Sequence, residues 1–91
     1  MSTRVYVMID TVKGKAKQVG EILYGQPGIT MVDCVEGPPD IVMMAEAEDQ
    51  QAMAHLTVQA LATVENLTND IRFLPVSSRA TRSFSEQLII W

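Results

Sequence analysis

Arg4-Val5-Tyr6-Val7-Met8-Ile9-Asp10-Thr11 and, further along, Asp40-Ile41-Val42-Met43-Met44-Ala45-Glu46-Ala47 are the two stretches on which the fold turns. In the first, Val5, Val7 and Ile9 fall on one side of an extended chain and Tyr6 and Met8 on the other, because successive strand side chains point to opposite faces. Both sides are apolar, the pattern of a strand in the middle of a sheet. The second stretch repeats it, with Ile41 and Met43 set against Val42 and Met44.

The segments around these two strands complete the order. From Lys13 to Gln26 the apolar positions Ala16, Val19, Ile22 and Leu23 follow helical spacing, and Gln26-Pro27-Gly28 supplies a stop signal. Ile29 to Glu36 reads as a strand, and Gly37-Pro38-Pro39-Asp40 turns it into the strand from Asp40 to Ala47, a hairpin. Asp49 is the expected N-cap of a second helix, whose apolar side is Met53, Leu56, Ala60 and Val64 and which is expected to end near Val64. Leu67 to Val76 is a fourth strand, and Pro75 suits an edge, where a missing N–H costs the ladder nothing.

The order βαββαβ, with right-handed crossovers in both βαβ units, predicts an α+β domain of ferredoxin-like type over residues 1–76. Its four-stranded antiparallel sheet has the first and third strands in the centre. The edge strands carry the charges, Asp33 and Glu36 on one and Asp70 and Arg72 on the other. Both helices pack on one face, so the other remains apolar whichever way the sheet is turned, and monomers rarely leave such a surface exposed. Residues 77–91 form a C-terminal extension expected to pack on its own or a partner subunit. Ser77 to Ser83 is too polar to cover a sheet face, and only Leu88-Ile89-Ile90-Trp91 is strongly apolar. A second copy is the expected cover, giving a homodimer in the form of a dimeric α/β barrel.

Composition narrows the function. At 91 residues the chain has room for one core. Seven basic against eleven acidic residues give a net charge of −4, which argues against direct nucleic-acid binding, since that depends on cations displacing phosphate counterions. Lys13, Lys15 and Lys17 read as a solvated helix start. The apolar run Ile41 to Ala45 is far short of the roughly 20 residues of a membrane span, and no secretory signal is read at the N-terminus. A cytoplasmic protein without membrane contact is expected. Cys34 is the single cysteine, which excludes an intrachain disulfide, and it is read as a buried small hydrophobe.

The pattern resembles the effector-binding domain of Lrp/AsnC transcriptional regulators over roughly residues 4 to 76. The residues that carry the resemblance are Gly14 after the first strand, Pro27-Gly28-Ile29 leading into the second, Gly37-Pro38-Pro39-Asp40-Ile41 at the hairpin, Glu48-Asp49 before the second helix, and Val64 to Thr68 before the last strand. The resemblance implies a small-molecule sensor in which dimers assemble further into rings and an amino acid binds in clefts between them. It also implies a ligand-binding role for the hairpin residues Gly37, Pro38, Pro39 and Asp40. The family's loop is usually Gly-x-x-Asp with an acidic and an aromatic residue between. Here prolines stand there, which donate no hydrogen bond, so recognition by the loop is expected to be altered or absent. The family's helix-turn-helix is not expected in this chain, whose first strand begins almost at Met1. The resemblance then implies a chain that either modulates a full-length Lrp/AsnC regulator by forming mixed assemblies or serves as a separate amino-acid-responsive module.

From the residues themselves, Gly37 permits close backbone approach and the Asp40 carboxylate suits an amino group. The same residues also make ordinary tight turns, and both readings stand at this point. His55 falls off the apolar side of its helix with no other ligand converging on it, so no metal site is read. The six methionines are read as core or interface packing. No cofactor and no catalytic residue is expected, because no acid, base or cofactor ligand clusters toward one cavity. The rival readings are a small α/β-barrel enzyme of the monooxygenase or isomerase kind and an ACT-like regulatory module, the latter echoed by Asp10 and Gly14.

Overall fold

In the computed structural model, which describes residues 3–76, the pairing of the two doubly apolar strands organises the sheet. Strand β1 (Thr3–Thr11) runs antiparallel to β3 (Ile41–Ala47), with Val5 opposite Ala45, Val7 opposite Met43 and Ile9 opposite Ile41. The flanking strands are β2 (Ile29–Cys34) beside β3 and β4 (Thr68–Pro75) beside β1, so the order is β2-β3-β1-β4 with every pair antiparallel. Helices α1 (Ala16–Tyr24) and α2 (Gln50–Ala62) complete the ferredoxin-like α+β fold. Among the described residues no helix is long and apolar enough to cross a membrane. The extension 77–91 lies outside the described residues.

One face of the two central strands makes the core. Val7, Ile9, Ile41, Met43 and Ala45 are fully buried, together with Val19 and Leu23 of α1, and Ala60 of α2 and Val64 just beyond it are nearly so. Each large apolar side chain among them contributes about 1.5–3 kcal/mol by leaving water, which is why the helices settle on this face. Asp49 caps α2 as expected, its Oδ1 accepting from the Ala52 N–H at 2.8 Å. Thr57, in the middle of α2, is buried with its hydroxyl donating to the Met53 carbonyl at 2.8 Å.

Several boundaries differ from expectation. The first helix begins at Ala16, not Lys13, because Gly14 sits at φ +82° in a turn closed by the Lys15 N–H on the Val12 carbonyl. Strand β2 stops at Cys34, ahead of Glu36, where the chain enters the Gly37-Pro38-Pro39 loop, and prolines have no N–H to give a ladder. A 3-10 turn over Glu65–Leu67 delays β4 to Thr68. Cys34 is exposed, not buried: β2 is an edge strand, and the thiol lies 3.9 Å from the Ala16 carbonyl at the start of α1. His55 is exposed, as its place on the helix suggested.

Gly14 and Gly28 share φ +82°, but a Cβ on Gly14 would meet open space, whereas one on Gly28 would lie 2.6 Å from Leu56 Cδ2 and 3.2 Å from the Glu46 carbonyl. A left-handed non-glycine residue costs roughly 1–2 kcal/mol by itself. Gly14→Ala is therefore expected to lower stability by about that amount and Gly28→Ala by clearly more, as read from urea denaturation midpoints. Equal losses would mean that α2 yields freely at Leu56.

Candidate functional site

The face of the sheet away from the helices is the unusual surface of the domain. Strand register places two rows of side chains across it. One row is Met31, Met44, Tyr6 and Leu74; the next is Asp33, Val42, Met8 and Arg72. The first is apolar from edge to edge, and the second is apolar in its middle with a charge at each end. Tyr6 is 37% and Leu74 49% exposed, and Met8, Met31, Val42 and Met44 are partly exposed. Arg4 and Glu46, opposite each other and 4.0 Å apart, close the far end of the face.

At the near end the β2–β3 loop returns toward β1 and encloses a hollow of about 140 Å³. Met8, Asp10, Pro38, Pro39, Asp70 and Arg72 line it. That volume is close to a cavity of about 150 Å³ that holds a benzene-sized molecule, so any ligand contained by one chain is small. Asp10 and Asp70 stand opposite each other across β1 and β4, an arrangement of like charges that disfavours pairing unless a cation intervenes. Arg72 Nε lies 4.0 Å from Asp70 Oδ2, with both side chains well exposed, so the pair is only weakly coupled. Among the described residues the ion pairs are this one and Arg4–Glu46, and neither involves Asp10.

The loop is held by a junction at Thr11. The Asp40 carboxylate Oδ2 accepts from the Thr11 N–H at 2.9 Å and from its hydroxyl at 3.2 Å, while the Asp40 N–H donates to the Ile9 carbonyl at 3.0 Å. The Asp40 carbonyl in turn accepts from the Val35 N–H at 2.9 Å. Thr11 is buried, and its carbonyl also accepts from the Asn69 side chain at 3.4 Å, so one residue joins the hairpin, β1 and the start of β4. Gly37 has no room for a side chain, since a Cβ there would run into the Pro39 carbonyl.

Of the four hairpin residues singled out from sequence, Pro38 and Pro39 form a wall of the hollow. Gly37 and Asp40 do not line it, and the Asp40 carboxylate faces Thr11. Met8, Asp10, Asp70 and Arg72 were not anticipated as a group. Period-2 alternation does put Met8 with Asp10, and Asp70 with Arg72, but only the β1–β4 register brings the two pairs together. A shallow depression by Asp49, Gln51, Ala52 and His55 lies at the start of α2, where Asp49 already serves as the cap.

No protein-family model matches the chain, and no curated protein matches it by sequence. Solved structures do match. TTHA0845 of Thermus thermophilus superposes with a TM-score of 0.73 at 20% identity, over 81% of this chain and 91% of that one. An AsnC family transcriptional regulator from Agrobacterium tumefaciens gives 0.73 at 17% identity, over 86% of this chain and 52% of the regulator. The transcriptional regulator NMB0573 of Neisseria meningitidis, in complex with L-Met, gives 0.69 at 15% identity, over 85% and 51%. This chain thus spans nearly all of the first and about half of each regulator. The expected likeness to Lrp/AsnC regulators is present, and at these identities it is a likeness of fold.

Proposed function

We propose that this domain is an amino-acid-responsive regulatory module that works as a homodimer or larger ring, a second copy covering the open face of the sheet to close a dimeric α/β barrel. The role is binding without turnover, and with a net charge of −4 the chain reaches nucleic acid only through a partner, such as a full-length regulator of the same fold.

The observation that carries the reading is the composition of the hollow. A free α-amino acid brings an ammonium, a carboxylate and a side chain. Asp10 and Asp70 suit the ammonium, which would also relieve their mutual repulsion, and Arg72 offers a forked donor for the carboxylate. Met8, Pro38 and Pro39 suit an apolar side chain. In this arrangement Gly37 and Asp40 belong to the ligand site by holding the proline wall in place. The fold shared with a regulator crystallised with L-Met supports the same reading.

Regulation follows from position. Met8 belongs both to the hollow and to the open face, so a ligand there rests against the surface that a second copy covers. A ligand that binds the assembled form better than the separate chains favours assembly by its differential affinity.

A thermal-shift screen of the proteinogenic amino acids against the intact chain tests the proposal. At a hundred times its Kd a true ligand adds about 2.7 kcal/mol, and each kcal/mol raises the Tm of a domain this size by roughly 4–8 °C. Asp70→Asn and Arg72→Gln are expected to abolish the shift while leaving ligand-free stability within about 0.5 kcal/mol, as exposed positions do. Absence of a shift with every amino acid, or a shift that survives both substitutions, contradicts the assignment.

A further inference from the structure

A second apolar surface lies on the helix side of the sheet, where a copy on the open face does not reach. Helix α2 packs chiefly over β3 and β1 and leaves β4 largely uncovered. Phe73 pairs with the fully buried Val7 and so points to the helix side, yet it is 48% exposed; Ile71, opposite Ile9, is partly buried, and Pro75, opposite Val5, is exposed. On α2 the buried line is Met53, Thr57 and Ala60, continued by Val64. Leu56 flanks that line on the side of β2, since its methyl groups lie against Gly28. Helical geometry then sets Ala54 and Leu61 on the opposite flank, toward β4, and turns Val58 farther round to the solvent side. Ala54 is exposed and Leu61 only partly buried. Between these two rows runs an apolar strip, open at its outer side because β4 is the sheet edge.

We propose that this strip is the docking place of the chain's own Leu88-Ile89-Ile90-Trp91. Three observations select that occupant. Val76, whose N–H donates to the Arg4 carbonyl, leaves β4 at the Pro75 end of the strip. The eleven residues from Ser77 to Gln87 span up to roughly 36 Å when extended, while all of β4 is only about 27 Å long, so every point of the strip is within reach. Finally, Leu88 to Trp91 is the strongly apolar part of a stretch that is otherwise mostly polar, and it needs cover as much as the strip does. Docking there leaves the open face free for a second copy, so the two apolar surfaces have separate partners.

Trp91 is the only tryptophan, which makes its fluorescence a direct reporter in the intact chain. Docking predicts emission blue-shifted from that of free tryptophan and poor quenching by acrylamide. Ala54→Asp and Phe73→Asp should each move the emission to the red and raise quenching several-fold, whereas Leu74→Asp, on the open face, should leave both unchanged. Ala54 is exposed, so its substitution removes no core contact, and far-ultraviolet circular dichroism verifies the fold of each variant. The blue shift should also persist on dilution through dissociation of the assembly. The proposal is overturned by wild-type emission equal to that of free tryptophan, by indifference to Ala54→Asp and Phe73→Asp, by a response to Leu74→Asp, or by loss of the shift on dilution, which would place the segment on a partner.

Discussion

A four-stranded sheet offers two faces, and this chain has helices for one of them. Because β1 and β3 alternate apolar residues with apolar residues, burying Val5, Val7, Ile9, Ile41 and Met43 beneath the helices necessarily turns Tyr6, Met8, Val42 and Met44 the other way. Shifting the register by one residue would exchange the two sets without removing the problem. Met31 and Leu74 extend this surface to both edges. Charged side chains gather around it, with Arg4 and Glu46 at one end, Asp10, Asp70 and Arg72 at the other and Asp33 on the β2 edge. An apolar centre inside a polar border is the anatomy of a protein interface.

The placement of the hollow follows from the same geometry. It sits where the apolar centre gives way to the charged end, closed by a loop that Thr11 and Asp40 tie down. A ligand in that corner and a copy on the open face would be neighbours, and binding free energies coupled in this way act reciprocally: whatever the ligand does for assembly, assembly does for the ligand. In the proposed site the acidic pair would take a cationic group and the neighbouring guanidinium a carboxylate.

Much of this was legible in the residues. Doubly apolar alternation identified the central strands, Asp49 marked the start of α2, and Pro75 marked β4 as an edge. What escaped reading depended on distance along the chain. The carboxylate of Asp40 looked available for a ligand, but its hydrogen-bond partner, Thr11, lies 29 residues away. Asp10 and Asp70 meet through the β1–β4 register, and that pairing joins strands nearly sixty residues apart that no local pattern aligns. The late start of α1 came from the left-handed turn at Gly14, whose glycine was noted without its conformation. Cys34 misled because composition favours buried thiols, whereas its edge strand is only partly covered by α1.

The requirement that the open face be covered is the claim beneath the rest, and the mass of the intact chain in solution, measured by sedimentation equilibrium across a dilution series, tests it most directly. The account predicts twice the chain mass of 10.1 kDa or a higher even multiple of it. A folded species of 10.1 kDa at every concentration would contradict it.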